Sequence, residues 1–177
     1  STKEMIQPSQ GTHIVLDASF LPNKYAIMVP HTKDGRVLFA VPWHNKVVVG
    51  TTDTVIDKPL LEPHFQLEEV EFILETASQY LTKKPTKKDI LSVFSGLRPL
   101  AKPEGDKQST KEISRHHKVM ISSSGLITVI GGKWTTYRKM AEDTVDNAIL
   151  IGGLQGSKCT THNLPIFGYD KNLNLTE

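Results

Sequence analysis

Residues 125–150 read GLITVIGGKWTTYRKMAEDTVDNAIL and join a short apolar run to a helix-patterned segment through two glycines. Leu126, Ile127, Val129 and Ile130, with only Thr128 among them, form the near-continuous pattern of a strand buried on both faces. Gly131 and Gly132 end that run. Beyond Lys133, Tyr137, Ala141, Thr144, Val145 and Ala148 recur at helical spacing, and Arg138, Lys139, Glu142, Asp143, Asp146 and Asn147 take the other face. Gly152 and Gly153 suit a helix stop. The pair Gly131-Gly132 lets another molecule approach the backbone, and the N–H groups of the helix start point at whatever sits there. An anion is the natural guest, and Lys133 with the hydroxyls of Thr135 and Thr136 adds a charge and donors. The plain alternative is an ordinary strand-to-helix turn with a solvated lysine, and this stretch alone favours it.

The wider composition bounds the answer. With 177 residues, 38% hydrophobic and 23% charged, the chain can bury a core of one domain or somewhat more. A net charge of +2 gives no argument for nucleic acid, and no nucleic-acid-binding motif accompanies it. The single cysteine, Cys159, excludes an internal disulfide and a thiolate metal cluster. The apolar runs are strand-sized, well short of the about 20 residues that cross a bilayer. No metal site is expected, since the adjacent His116 and His117 point to opposite faces of a strand.

Working outward, Gly11-Thr12-His13 leads into a short strand, Ile14–Leu16, which ends at Asp17. Tyr25–Pro30, Arg36–Pro42 and Val47–Val49 are apolar runs separated by turn residues, including Asp34-Gly35, and predict a three-strand antiparallel meander. Gly50-Thr51-Thr52-Asp53 closes it with hydroxyls and N–H groups that a ligand could use. Residues 66–81 predict an amphipathic helix with Val70, Ile73, Leu74, Ala77, Tyr80 and Leu81 inward and Glu68, Glu69, Glu71 and Glu75 solvated. Lys83, Lys84, Lys87 and Lys88 gather past its end as a solvated exit, with an anionic membrane surface as the sharper alternative. A strand beginning at 89–93 runs into Phe94-Ser95-Gly96-Leu97-Arg98-Pro99-Leu100. There Arg98, between a glycine turn and a proline, is held for bidentate recognition of phosphate or carboxylate, or else closes an internal salt bridge. Arg115 opens a strand that pairs with 125–130 across Ser122–Ser124. Residues 152–169 read as a linker.

With GTHIVLD, the GTTD turn, FSGLRPL and GGKWTTYRKMAE on the page in that order, the chain resembles FAD-dependent glycerol-3-phosphate dehydrogenases from about Gln7 to Ile149. The related glycerol-3-phosphate oxidases share these motifs. The resemblance implies oxidation of sn-glycerol 3-phosphate to dihydroxyacetone phosphate, with a quinone as electron acceptor. It implies an α+β fold: a mainly antiparallel substrate cap with helices on one side over residues 1–121, the returning strand and helix of the FAD domain over 122–151, and a linker over 152–177. No G-x-G-x-x-G occurs, which leads us to expect an internal piece of a longer polypeptide that does not retain FAD alone. Carried over by position, His13 is the base for the C2 hydroxyl, and Arg98, Arg115 and Lys133 clamp the phosphate. Arg98 or Lys133 also steadies charge growing on the C2 oxygen. Gly131, Gly132, Lys133, Trp134 and Thr135 form the flavin-contacting turn, with Thr51 and Thr52 lining the same cavity. For a bacterial member the resemblance implies a cytoplasmic enzyme peripheral on the membrane, and it is compatible with a homodimer. An isolated module that binds a phosphorylated ligand or a membrane without redox activity is the competing reading.

Overall fold

The computed structural model describes residues 4–30, 32, 35–102 and 116–170, and the chain divides into two compact units, Ser1–Arg115 and His116–Glu177. The units meet at 115/116 and not at 121/122, because the strand ending at Ile121 pairs with the one after it.

The first unit is an antiparallel sheet with one helix on it. Its elements are β1 (Ile6–Asp17), β2 (Ile27–Val29), β3 (Leu38–Trp43), β4 (Lys46–Gly50), β5 (Thr54–Val55), α1 (Leu67–Ala77) and β6 (Ser92–Ala101). The expected meander is present as β2-β3-β4, and β4 pairs with β1. β1 is far longer than the expected Ile14–Leu16. Its partner β6 runs beside it from Ile6 opposite Ala101 to Val15 opposite Ser92, so the pattern-poor residues before Gly11 belong to the strand as well. The expected glycine turn at Gly96 is absent for the same reason: Gly96 lies within β6, opposite Gly11. β5 caps the other edge of β1 at Ser9 and Gln10.

Alternation along the strands makes two unlike faces. Ile14, Leu16, Val29, Leu38, Ala40, Val47 and Val49 turn inward, and Val70, Ile73, Leu74 and Ala77 of α1 cover them, with Phe20, Leu21 and Leu81 at the rim. Each fully buried side chain of this kind contributes about 1.5–3 kcal/mol relative to exposure. The helix stops at Ala77, earlier than position 81, because the Ser78 hydroxyl donates to the Leu74 carbonyl while Tyr80 and Leu81 N–H both turn back to Ala77. Leu81 is still buried, now from a turn. The opposite face of the sheet carries Met28, Phe39 and Phe94 in the open.

The second unit pairs β7 (His117–Ile121) with β8 (Ile127–Gly131) and packs α2 (Tyr137–Gly152) against them. The hairpin turn is set by Ser122, whose backbone N–H donates to the Leu126 carbonyl and whose hydroxyl accepts from Leu126 N–H, with Gly125 at φ +83°. α2 ends at Gly153, in the left-handed region at φ +59°. Two expectations change here. β8 is half-buried, since it has a single partner strand and one helix within the unit. The stripe expected along α2 is split: Tyr137, Ala141 and Val145 are exposed and Thr144 and Ala148 half-buried, while Met140 and Asp143 meet β7 and the Gly132 backbone.

Candidate active site

The open face of the first sheet is built by register. His13 of β1 lies opposite Phe94 of β6, Gly11 opposite Gly96 and Ser9 opposite Arg98, so His13, Phe94 and Arg98 all stand on one face. The His13 imidazole stacks on the Phe94 ring at 5.0 Å and 6°. On its other side His13 is opposite Gly50 of β4, where a Cβ would fall on the imidazole. Likewise a Cβ at Gly11 would fall on the Arg98 guanidinium, so the arginine lies folded back across β1 over a position that only a hydrogen leaves open.

The guanidinium is held by the turn after β4, whose Gly50–Thr51 peptide is cis. Arg98 Nη2 donates to Thr51 Oγ1 at 2.8 Å, and Nη1 donates to the Thr52 carbonyl at 3.2 Å. Both of these contacts are to neutral oxygens. Burial, and then the nearby Arg98 charge, hold the His13 imidazole below its ordinary range. At neutral pH His13 is thus the neutral form, able to accept a proton.

Thr52 differs from its expected place. Its side chain is fully buried on the α1 side, where Oγ1 donates to Glu69 Oε1 at 2.8 Å and accepts from Thr12 N–H at 2.9 Å. What Thr52 offers the open face is its carbonyl, and Thr51 supplies the hydroxyl. A cavity of about 410 Å³ lined by Met28, Arg36, Phe39, Thr51, Thr52 and Asp53 opens beside this turn.

Glu69 is the residue that periodicity missed. Expected on the solvated face of α1, it is 4% exposed. Oε1 accepts from Thr52 and Thr54, and Oε2 accepts from Gln10, Thr12 and the Gln66 backbone N–H, at 2.6–3.0 Å. Burial pushes its carboxyl up, but donors from Thr12, Gln66, Thr52 and Gln10 together outweigh burial and hold it below the ordinary range. The spacing Gln66-x-x-Glu69 at a helix start was the available signal, since a residue at that position reaches back over the first turn.

In the second unit Gly131 and Gly132 both have positive φ, +70° and +85°, and a Cβ at Gly132 would fall on Met140. The helix does not start at once: Trp134–Thr136 form a 3-10 turn before α2. The Lys133 N–H donates to Thr136 Oγ1 at 3.1 Å, so that donor is spent internally. Lys133, Trp134 and Thr135 are exposed, Trp134 by 88%. Behind the turn His117 Nε2 meets Asp143 at 2.8 Å, and Lys139 then His117 hold the Asp143 carboxyl low. Arg115 lies outside the described residues. Ligand atoms of Glu142, Cys159 and His162 come within 4.8 Å of one another, which spacing did not reveal; Arg138 and Lys139 already engage the Glu142 carboxylate, at 2.8 and 3.3 Å.

Residues 1–138 match the family described as FAD dependent oxidoreductase. Over 169 residues the chain is 48% identical to the mitochondrial glycerol-3-phosphate dehydrogenase of Arabidopsis thaliana, covering 94% of this chain and 26% of that protein. To the mitochondrial glycerol-3-phosphate dehydrogenase of Mesocricetus auratus it is 42% identical over 167 residues, covering 92% and 22%. The chain thus spans about a quarter of the length of these relatives. Among solved structures, the glycerol-3-phosphate dehydrogenase of Bacillus halodurans complexed with FAD superposes with a TM-score of 0.67 at 35% identity, over 86% of this chain and 28% of that one. Glycine oxidase from Geobacillus kaustophilus shares the fold alone, with a TM-score of 0.53 at 15% identity over 88% and 37% of the two chains. With its antiparallel sheet, its glycine-cradled arginine and histidine, and a match running through both units, this chain belongs to the FAD-dependent oxidoreductase family.

Proposed function

We propose that this chain supplies the substrate-binding cap and part of the flavin-binding wall of an FAD-dependent glycerol-3-phosphate dehydrogenase. The observation that carries the reading is the Arg98 guanidinium fixed over Gly11 on the face that presents a neutral His13. A fixed guanidinium is a bidentate partner for a phosphate dianion or for an oxygen gaining negative charge. The neutral imidazole of His13 takes the proton of the C2 hydroxyl of sn-glycerol 3-phosphate, and Phe94 holds the ring in its plane. Lys133, exposed at the second unit's turn, adds a positive charge for phosphate or for the C2 oxygen. Arg115 completes the proposed basic set.

The residues present fit a flavin. Two glycines in the left-handed region leave the backbone of the turn without side chains, and the exposed Lys133 and Thr135 offer donors to a polar ring edge. Gly131, Gly132, Lys133, Trp134 and Thr135 would hold the ring system. FAD, when bound, accepts the hydride equivalent from C2. A quinone as the final acceptor, in place of oxygen, is part of this proposal; the relatives are named dehydrogenases, not oxidases. Attachment to an anionic membrane surface through Lys83, Lys84, Lys87 and Lys88 is a further part of the proposal, which rests on that cluster of lysines; among the described residues no helix is long and apolar enough to cross a membrane. Lys87 already pairs with Glu71, and Lys83 lies over the Phe20 ring at 6.0 Å.

The test is turnover of sn-glycerol 3-phosphate by the complete FAD-loaded polypeptide, with a soluble quinone and with oxygen in separate assays. We expect quinone-dependent oxidation that His13→Asn lowers by about 10²–10⁴-fold in kcat, the range of one positioned acid-base group. Turnover of a glycine or hydroxy-acid substrate with none of glycerol 3-phosphate would overturn the reading.

A further inference from the structure

The proposed site assigns Arg98 a fixed position, and the structure shows what fixes it from the far side of the sheet. Between the open face and α1 lies Thr52. Above, its carbonyl accepts from Arg98 Nη1 at 3.2 Å, and the Thr51 hydroxyl, which accepts from Nη2 at 2.8 Å, itself donates to that carbonyl at 3.1 Å. Below, the Thr52 hydroxyl is tied to Glu69 Oε1 at 2.8 Å and to the Thr12 N–H at 2.9 Å. The same carboxylate binds Thr54, the first residue of β5, at 2.9 Å, and β1 through Gln10 at 2.8 Å and Thr12 at 2.6 Å. Thr12 then passes the contact to Ser95 of β6 at 2.7 Å, two strand positions before Leu97 and three before Arg98. One buried carboxylate therefore clasps the turn that holds the guanidinium and the strand that faces it.

We infer that Glu69 is a positioning residue for Arg98: it acts through Thr52 to hold the Thr51–Thr52 acceptors where the guanidinium needs them, although it lies on the opposite face of the sheet. The geometry argues against a purely local role. Capping α1 needs one acceptor toward the Gln66 N–H, and Glu69 satisfies that with a single hydrogen bond at 3.0 Å; four further hydrogen bonds go to β1, the post-β4 turn and β5. Buried in this way, a charged carboxylate is costly unless every lone pair is used, and here neutral donors use them. A shift of the turn of about 1 Å would misdirect the cation, and displacement on that scale can cost about a hundredfold in rate.

This inference rests on the proposed role of Arg98, and its test separates the two. In the complete FAD-loaded polypeptide, sn-glycerol 3-phosphate turnover is measured for wild type, Glu69→Gln, Thr52→Val, Thr52→Ser, Arg98→Met and the double variant Glu69→Gln/Arg98→Met. Flavin content and Tm are recorded for each, and binding of inorganic phosphate to the oxidised protein is followed by the flavin absorbance. Glu69→Gln and Thr52→Val are expected to lower kcat/KM and phosphate affinity about tenfold or more with flavin content retained, and Thr52→Ser to stay near wild type. In the Arg98→Met background Glu69→Gln is expected to add less than about twofold, because interacting residues are non-additive whereas independent ones add. Full additivity, or loss of activity that only tracks Tm and flavin content, overturns the positioning role. If Glu69→Gln does not hold flavin, the Thr52→Val and Thr52→Ser pair decides by the same criteria. An Arg98→Met variant that equals wild type in turnover and phosphate binding would instead overturn the reading of Arg98 itself.

Discussion

Gly11 and Arg98 show how a site can depend on an atom that is missing. Gly11 lies in a long strand with its backbone outside the left-handed region, so nothing in its own conformation calls for glycine; the guanidinium resting on it does. Gly11→Ala is expected to displace Arg98 and raise KM for sn-glycerol 3-phosphate about tenfold or more, the worth of one or two charge-assisted hydrogen bonds. Steady-state kinetics beside a melting curve would show whether the loss comes without unfolding. His13 carries a second prediction. Burial and the Arg98 charge both disfavour its imidazolium, so removing the charge by Arg98→Met should raise the His13 pKa toward the ordinary value of about 6.5. The acid limb of kcat/KM against pH would then move to higher pH, and a limb that stays put would exclude His13 as the group it reports.

At the scale of elements, α1 does two jobs with two faces. Val70, Ile73, Leu74 and Ala77 bury the sheet's inner face, and Glu69, one position before Val70, enters the polar seam between β1 and the post-β4 turn. Ile73 is fully buried, so Ile73→Ala should destabilise the first unit by about 2–5 kcal/mol, read from the urea midpoint. Glu69 makes stability depend on acid. Its folded carboxyl titrates below the ordinary range, so its contribution is complete above the unfolded pKa of about 4.3 and is lost as pH falls through the lower folded value. Wild type should therefore lose stability on acidification below about pH 4.3 more steeply than Glu69→Gln does, in melting curves taken across that window. The turn after β8 is a contrasting element: Gly132 is constrained twice, by φ +85° and by Met140 beneath it, so even alanine there must strain the backbone and move the methionine.

For the molecule as a whole, the two units differ in how completely they cover themselves. The first closes a core between sheet and α1. The second leaves Tyr137, Val145, Leu150, Leu154, Leu164, Ile166 and Phe167 exposed, several of them around a cavity of about 700 Å³ between α2 and the segment after it. An open apolar surface of that kind binds other apolar matter. The chain by itself should enhance the fluorescence of an apolar dye, and Val145→Asp with Leu150→Lys should reduce that signal without lowering Tm; an unchanged signal would locate the surface elsewhere.

Sequence pattern alone determined the meander of β2, β3 and β4, the β7-β8 hairpin and the helical segments, because alternation, helical spacing and turn residues are local properties; the family resemblance came from four motifs in order. The pattern also singled out Arg98 and the Gly50–Asp53 turn, while His13 and Lys133 gained their proposed roles from the family resemblance. The pattern placed Glu69 on the wrong side of its helix and took as one face an α2 stripe that the structure splits. Helical spacing ranks positions by polarity, and nothing local says that a glutamate meets donors from Gln10, Thr12, Thr52 and Thr54, residues 15 to 59 positions away. Only the tertiary structure could decide that Gly11 makes room for Arg98, that Thr52 turns its hydroxyl inward and its carbonyl outward, and that a buried carboxylate sits behind the half-buried cation. Each of these follows from strand register and from the need to satisfy buried polar atoms, which arise only once distant segments are brought together.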